Sequence, residues 1–281
     1  MKILITGANG MLAKAVRERF KEEELILTDV AELDITNLKK VEEFVFDANP
    51  DVIINCAAYT AVDKAEEDVE LARKINAEGP KNLAIAAKKS KSTLVHISTD
   101  YVFGGNLPLE ETYKEEDKKE PETVYGITKL EGEEAIKENT ENYYIFRTAW
   151  LYGDGKNFVR TMLRLGKENG KVGVVADQYG SPTYAVDLAD IIHQALTKKI
   201  PYGIYHTTNL GFMSWFDFTK AIFKIANLPY EVKPLATKDF PTPAKRPANS
   251  KLSKDKLLQA GINVPGAEDA IKRYLKEEKV I

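Results

Sequence analysis

Short apolar runs alternate along the first half of the chain with longer segments of helical period. The apolar runs, which are typical of buried parallel strands, span Lys2 to Thr6, Leu25 to Thr28, Asp51 to Asn55, Thr93 to Ser98 and Tyr143 to Arg147. The segments of helical period are Met11 to Lys21, Leu38 to Ala48, Lys64 to Lys89 and Thr123 to Glu138. This alternation predicts an α/β fold with a right-handed, doubly wound parallel sheet.

The pattern changes beyond Ala149, where prolines interrupt the chain repeatedly. Helices are predicted at Phe158 to Lys167, Val186 to Thr197, Trp215 to Ala226 and Ala267 to Lys276. Such broken segments are typical of loops that enclose a ligand beside a rigid scaffold. We therefore expect one large domain over residues 1–150 and a smaller lobe over 151–281, with a segment at about 184–210 returning to the large domain.

Composition excludes several classes of protein. Of the 281 residues, 43% are hydrophobic and 30% charged, as in ordinary globular proteins, and a net charge of -3 gives no footprint for nucleic acid. Cys56 is the only cysteine and the three histidines lack metal-ligand spacing, so we expect neither a disulfide nor a metal site. With no signal peptide at Met1 and no run of 18 apolar residues, a cytoplasmic location is expected, without a membrane partner.

A glycine-rich motif lies between the first predicted strand and helix. It reads Thr6-Gly7-Ala8-Asn9-Gly10-Met11-Leu12-Ala13, a G-x-x-G-x-x-A pattern. Gly7 permits a tight turn, Gly10 lets a pyrophosphate approach the backbone, and the small Ala13 allows close packing of helix on strand. The backbone amides at the start of the helix are then expected to face the phosphates. They belong to Asn9, Gly10, Met11 and Leu12. The first domain is thus predicted to be a dinucleotide-binding Rossmann domain.

Acidic and small residues at the next strand ends extend this predicted site. Asp29, at the end of the second strand, can accept hydrogen bonds from an adenosine ribose and would repel a 2'-phosphate, so NADH is preferred and NADPH is the alternative. Asp34, followed by Ile35, could reach the adenine edge or cap the next helix. After the third strand, small residues let the cofactor lie close, although packing alone also explains them. This segment is Ala57-Ala58-Tyr59.

Tyr125 and Lys129 form a Y-x-x-x-K pair on one face of a predicted helix. An ammonium beside the phenol would lower its pKa and make Tyr125 a general acid. Ser98 and Thr99 end the fourth strand at the carboxyl edge of the sheet, where open α/β sheets bind ligands. Thr99 is the expected donor to a ketone oxygen, and Ser98 is expected to contact the cofactor. Together these groups predict a carbonyl-reducing site.

The assembled motifs resemble the dTDP-4-dehydrorhamnose reductase family of extended short-chain dehydrogenases over essentially the whole length. The blocks that carry the resemblance are Cys56-Ala57-Ala58-Tyr59-Thr60-Ala61-Val62-Asp63, Ser98-Thr99-Asp100-Tyr101-Val102-Phe103, Tyr125 to Lys129, Phe146-Arg147-Thr148-Ala149-Trp150-Leu151-Tyr152, Asp177-Gln178-Tyr179-Gly180-Ser181-Pro182-Thr183 and Pro241-Thr242-Pro243-Ala244-Lys245-Arg246-Pro247-Ala248-Asn249-Ser250.

The resemblance implies hydride transfer from NAD(P)H to the C4 ketone of a dTDP-linked 4-keto-6-deoxy sugar, giving dTDP-L-rhamnose. It further implies that Tyr125 protonates the forming alkoxide and that Lys129 holds the nicotinamide ribose. Thr99, Asp100 and Trp150 match the sugar pocket. Arg246 and Asn249 look suited to the nucleotide diphosphate.

Departures and alternatives also follow from the comparison with the family pattern. Some relatives dimerise through Mg²⁺ held by glutamates, but the matching positions here are Ala15 and Val186, so we expect a monomer or a weak homodimer without bridging magnesium. A nucleotide-sugar dehydratase or epimerase would share the glycine turn, but a dehydratase places glutamate where Tyr101 stands. A third hypothesis is a non-catalytic regulatory subunit with this fold. The presence of Thr99, Tyr125 and Lys129 argues against it.

Overall fold

A computed structural model describes the whole chain, residues 1–281. The strands are β1 (Lys2–Thr6), β2 (Glu24–Thr28), β3 (Val52–Asn55), β4 (Thr93–Thr99), β5 (Tyr143–Thr148), β6 (Leu151–Tyr152), β7 (Lys171–Val175), β8 (Tyr179–Gly180), β9 (Thr183–Tyr184), β10 (Gly203–His206), β11 (Met213–Ser214) and β12 (Glu231–Leu235). The α-helices are α1 (Met11–Arg19), α2 (Leu38–Ala48), α3 (Val62–Ala65), α4 (Val69–Arg73), α5 (Gly79–Ser90), α6 (Val124–Asn139), α7 (Phe158–Asn169), α8 (Ala185–Lys198), α9 (Trp215–Ile225), α10 (Asp255–Gln259) and α11 (Ala267–Glu277).

Six parallel strands form the central sheet in the order β10-β5-β4-β3-β1-β2. One apolar core, which includes Ile3, Ile5 and Val95, packs on one face, and a second, which includes Leu4, Ile53 and Leu94, packs on the other. Neighbouring residues of β1 thus point to opposite faces, and both faces are covered. The doubly wound parallel sheet predicted from the sequence is confirmed.

The order of the strands reverses between β1 and β3. The chain moves from β1 outward to β2 and then returns to place β3 on the other side of β1. In doubly wound sheets a crevice opens at such a switch point, beyond the carboxyl ends of the strands. The loops after β1, β3 and β4 therefore meet at one edge, and the residues at this edge form the candidate site.

The predicted helix from Lys64 to Lys89 is wrong as a single element. The chain instead forms α3 and α4, then a π-helix over Lys74–Glu78 that runs into α5. Within the π-helix the buried Asn76 accepts a hydrogen bond from the Tyr59 backbone N–H at 2.8 Å and donates to the Thr128 hydroxyl at 3.2 Å. The π-turn thus ties the loop after β3 to helix α6.

The smaller lobe has its own apolar core, built mainly on α7, α9 and α11. Strand pairs β7 with β12, β8 with β11 and β6 with β9 connect its segments. The four predicted helices of this half are present with ends shifted by at most two residues. Strand β10 leaves the lobe and pairs with β5 at the edge of the central sheet. None of the helices combines the length and the hydropathy that crossing a bilayer requires.

Candidate active site

The turn after β1 is shaped for an approaching anion. Gly7 has a φ of 62°, and a Cβ there would lie 2.7 Å from the backbone nitrogen of Ala57, so only glycine fits. Gly10 caps α1, and no side chain makes a capping hydrogen bond to the helix start. The first turn of α1 carries no acidic residue either. The free amides and the positive end of the helix dipole are therefore available to a phosphate group.

Two adjoining cavities form a continuous groove along the switch point. The first, of 290 Å³, lies beside Asp29, and the second, of 460 Å³, reaches Tyr125. Most of the predicted cofactor residues line this groove: Gly7, Gly10, Met11, Leu12, Asp29, Asp34, Ile35, Ala57, Ala58, Ser98, Tyr125 and Lys129. Its walls suit an extended dinucleotide, with a carboxylate at one end and the Y-x-x-x-K pair at the other.

Three predicted contacts differ in detail. Asn9 lies outside the groove walls, and its backbone N–H donates to Asp29 at 3.2 Å. The Tyr59 hydroxyl donates to the Asp68 carboxylate at 2.6 Å, which turns it away from the groove. Asp34 accepts from the Thr36 backbone and hydroxyl, while the cap of α2 is Asn37. Asp34 therefore does not cap α2, which leaves the prediction that it reaches the adenine edge.

Thr99, Asp100 and Tyr125 meet where β4 ends and α6 begins. The Thr99 hydroxyl donates to Asp100 Oδ1 at 3.0 Å and accepts from the Tyr101 backbone at 3.2 Å. The other carboxylate oxygen of Asp100, Oδ2, is buried without a partner. Burial raises the pKa of Asp100 to about 6, although the hydrogen bond from the Thr99 hydroxyl acts in the opposite direction. A ligand hydroxyl in the groove would satisfy the unpaired oxygen.

Helix α6 approaches this corner closely. Its first turn is capped by Thr123, whose side chain accepts from the Gly126 N–H at 3.0 Å. A Cβ at Gly126 would lie 2.2 Å from the carbonyl oxygen of Tyr101, so the glycine of the Tyr-Gly pair brings α6 against the residues after β4. This contact sets Tyr125 beside Thr99. The two aromatic rings of Tyr101 and Tyr125 pack edge to face, 5.5 Å apart.

The structure does not show the expected lowering of the Tyr125 pKa by Lys129. Burial raises the pKa of Tyr125 to about 12, the Thr99 hydroxyl lowers it and the Asp100 charge raises it. Lys129 Nζ lies instead against β4, where it donates to the Ile97 carbonyl at 2.5 Å and contacts His96 Nε2 at 3.2 Å. The lysine side chain is therefore held away from the phenol.

The Ser98 hydroxyl does not point to a ligand. It is buried and donates to Glu133, which lies one helical turn beyond Lys129 on α6. Glu133 also accepts two hydrogen bonds from Arg147 on β5. The Ser98 hydroxyl therefore has a charged partner inside the protein, while Ser98 itself lines the groove and its contact with the cofactor stays a prediction.

A third cavity, of 340 Å³, opens between the two lobes and adjoins the groove at Tyr101 and Trp150. Trp150 has a φ of 49°, rare for a bulky residue, and its indole stacks on Trp215 with ring centroids 3.7 Å apart. Arg246 donates from Nη2 to Asp63 at 2.6 Å, and its Nη1 is buried without a partner. The cavity thus offers aromatic faces and a free guanidinium donor, which suit a nucleotide sugar.

Asn249 lies outside this cavity, contrary to its predicted role. It is buried, and its amide nitrogen donates to the carbonyl oxygens of Leu107, Pro108 and Glu111, while its oxygen accepts from the Lys251 N–H. All of its hydrogen-bonding capacity is used to hold the 107–111 loop. No donor remains for a diphosphate.

Several residues of the third cavity were not singled out from the sequence. They are Asp63, Tyr101, Phe158, Met162, Gln178, Trp215 and Ser250. Trp215 follows the cap of α9 and Phe158 follows that of α7, so both read equally well as helix-core residues. Only the packing of the two lobes places them on a shared wall.

The doubly wound sheet, the glycine turn at the switch point and the Thr99, Tyr125 and Lys129 group define the class of protein. It is an extended short-chain dehydrogenase/reductase. More narrowly, the chain belongs to the family described as RmlD substrate binding domain, whose model matches residues 1–280.

Named relatives cover nearly the full chain. A dTDP-4-dehydrorhamnose reductase of Aggregatibacter actinomycetemcomitans is 43% identical, over 96% of this chain and 97% of its own length. The crystal structure of a dTDP-4-dehydrorhamnose reductase from Clostridium acetobutylicum is 47% identical with a TM-score of 0.95, covering 99% of this chain and 100% of that one. Another, from Bacillus anthracis in complex with NADP, is 43% identical with a TM-score of 0.94 and the same coverage.

Proposed function

We propose that the chain is an NAD(P)H-dependent reductase that converts the C4 ketone of dTDP-4-dehydro-L-rhamnose into the hydroxyl of dTDP-L-rhamnose. The observation that carries the proposal is the meeting of Thr99, Asp100 and Tyr125 at the junction of the groove and the third cavity. A ketone at this junction would lie within reach of a cofactor in the groove on one side and of a nucleotide in the cavity on the other. The names of the full-length relatives support the same substrate.

In this proposal the protein supplies proton, orientation and charge. A bound reduced nicotinamide would supply the hydride. Thr99 redirects its single hydroxyl proton from Asp100 Oδ1 to the ketone oxygen as negative charge develops, and Tyr125 gives its phenolic proton to the forming alkoxide. Lys129 would hold the cofactor ribose, and its ammonium beside the phenol would lower the pKa of Tyr125, which burial raises to about 12.

Substrate binding falls to the junction and to the smaller lobe. The unpaired Asp100 Oδ2 accepts a sugar hydroxyl, and the Trp150 ring provides an apolar face for the sugar. The unpaired Nη1 of Arg246 donates to the diphosphate, while Asp63 fixes the guanidinium from its other side. Residues 1–150 thus hold the cofactor and also contribute Asp63, Asp100 and Trp150 to the substrate site, to which the lobe over residues 151–281 adds Arg246.

NADH is the preferred cofactor in this proposal. Asp29 stands at the far end of the groove with its carboxylate held by the N–H groups of Asn9 and Val30. A fixed carboxylate there accepts from a ribose 2'-hydroxyl and repels a 2'-phosphate. The relative from Bacillus anthracis was solved with NADP, so the discrimination is expected to be a ratio of rates, with measurable turnover of both cofactors.

The proposed reductase activity is tested by incubating the purified protein with NADH and dTDP-4-dehydrorhamnose and following the absorbance of the reduced nicotinamide. We expect turnover in the wild type and a loss of about 1,000-fold or more in Tyr125→Phe, with unchanged NADH affinity, since the ring still packs but the proton is gone. Tyr202→Phe, at a half-exposed site far from the groove, is the matched control. Full activity of Tyr125→Phe would remove this residue from the mechanism.

A further inference from the structure

A chain of buried hydrogen-bonding groups runs from β1 to Lys129, and the direction of donation along it is fixed. Asn55 Oδ1 accepts from the Thr6 hydroxyl at 2.7 Å and from the Ala57 backbone N–H at 3.1 Å. A backbone N–H can only donate, so Oδ1 is the oxygen and the Asn55 amide cannot be reversed. Its Nδ2 therefore faces His96 Nδ1, 3.0 Å away, as a donor.

The direction of donation from Asn55 to His96 determines the tautomer of His96. Burial lowers the pKa of His96 well below its usual value, so the imidazole is neutral and carries one proton. Because Nδ1 must accept from Asn55, the proton lies on Nε2. That Nε2–H points at Lys129 Nζ, 3.2 Å away.

An ammonium at Lys129 cannot accept this hydrogen bond, whereas a neutral amine can. A neutral Lys129 has a lone pair for the His96 Nε2–H and still donates to the Ile97 carbonyl. We propose that His96 is a positioning residue that holds Lys129 as a neutral amine against β4 in the cofactor-free chain, so that cofactor binding takes up one proton from solvent at Lys129 Nζ. The second half of this inference rests on the proposed function, in which Lys129 acts as a cation beside Tyr125.

The other groups around Lys129 leave the neutral amine predominant above about pH 8. Burial lowers the pKa of Lys129 to about 8, while Glu133 on the same helix and Cys56 after β3 act in the opposite direction. The Glu133 carboxylate is already paired with Arg147, and burial raises the pKa of the Cys56 thiol to about 12, so it stays uncharged. Tyr125 likewise stays protonated. Of these neighbours, only His96 presents an N–H that a neutral Lys129 amine can accept and an ammonium cannot.

The test is calorimetry of cofactor binding in two buffers that differ in ionisation enthalpy. Between about pH 8 and 9 the wild type is expected to take up more than about half a proton per NADH or NADPH bound. Lys129→Met should abolish the uptake, since the titrating group is gone. His96→Asn keeps an acceptor for Asn55 but has no N–H within reach of Lys129, and its uptake should fall to less than about half of the wild-type value.

Three results would overturn the inference. They are a binding enthalpy that does not depend on the buffer in the wild type, an uptake that survives in Lys129→Met, and an uptake that is unchanged in His96→Asn. The tautomer is tested separately in the cofactor-free protein by long-range proton-nitrogen NMR, which should show His96 as the Nε2–H form. An Nδ1–H form or an imidazolium would contradict the inference even if a variant fails to fold, and none of these readings depends on turnover of the sugar.

Discussion

Glu133 and Arg147 form a fully buried, two-point ion pair between α6 and β5. Arg147 Nε lies 2.9 Å from Glu133 Oε1, and Nη2 lies 2.7 Å from Oε2. Glu133 follows Tyr125 and Lys129 on one helical face at intervals of four residues. The pair therefore anchors the helix that carries both groups to the sheet that carries Thr99.

We predict that Glu133→Gln destabilises the protein by about 3–5 kcal/mol, because it leaves the buried Arg147 charge without a partner. Glu134→Gln is the matched control on the same helix, where the pair with Lys137 is partly exposed and contributes at most about 1 kcal/mol. Urea unfolding of both variants measures the difference. Equal losses of unfolding free energy would show that the buried pair does not anchor α6.

Removal of the Thr99 hydroxyl tests the donor to the ketone oxygen. Thr99→Val should lower kcat by about 100-fold or more, as expected for the loss of one transition-state donor, while NADH affinity stays within about twofold. Thr99→Ser keeps the hydroxyl and should restore most of the rate. A Ser variant as slow as the Val variant would assign Thr99 to packing at the end of β4.

Neutralisation of Asp29 tests the cofactor preference. Asp29→Asn keeps an acceptor for the N–H groups of Asn9 or Val30 but removes the charge. The ratio of kcat/KM for NADH over NADPH should fall by about tenfold or more, which corresponds to about 1.4 kcal/mol. Glu32→Gln, which alters an acceptor of the Asp29 backbone N–H outside the groove walls, is the control and should leave the ratio unchanged. An unchanged ratio in Asp29→Asn would contradict the assignment.

The lowered pKa of Lys129 predicts a pH-dependent stability. Its pKa is about 8 in the folded chain and 10.5 in its ordinary state, so between these values the unfolded chain binds more protons. The free energy of unfolding contributed by this group therefore rises with pH across that window, by up to about 3 kcal/mol. Lys129→Met should abolish this part of the rise while it abolishes turnover.

Denaturant unfolding of wild type and Lys129→Met at the two ends of this window measures the difference. Burial also lowers the pKa of Lys254, to about 7, but that lysine is present in both proteins and cancels from the comparison. Parallel pH dependence in the two proteins would show that Lys129 does not titrate in this range.

The sheet and the cofactor groove could be predicted from the sequence because their signals are local. Apolar runs of four to six residues match β1 to β5 within one residue, and Gly7 and Gly10 mark the turn at the switch point directly. The spacing of Tyr125 and Lys129 likewise gives a shared helical face without knowledge of the fold.

The errors concern contacts between distant parts of the chain. Asn249 is a polar residue beside the site, but its partner, the 107–111 loop, is set by packing that no local pattern encodes. The pairing of Arg246 with Asp63 joins residues 183 positions apart. Lys129 contacts His96 and the Ile97 carbonyl on β4, and His96 in turn contacts Asn55 on the next strand.

The measurement that tests the account most directly is the NADH-dependent reduction of dTDP-4-dehydrorhamnose by the purified chain. We expect oxidation of one NADH for each dTDP-L-rhamnose formed, and loss of both in Tyr125→Phe without loss of NADH binding. Tight NADH binding with no turnover of this sugar would contradict it.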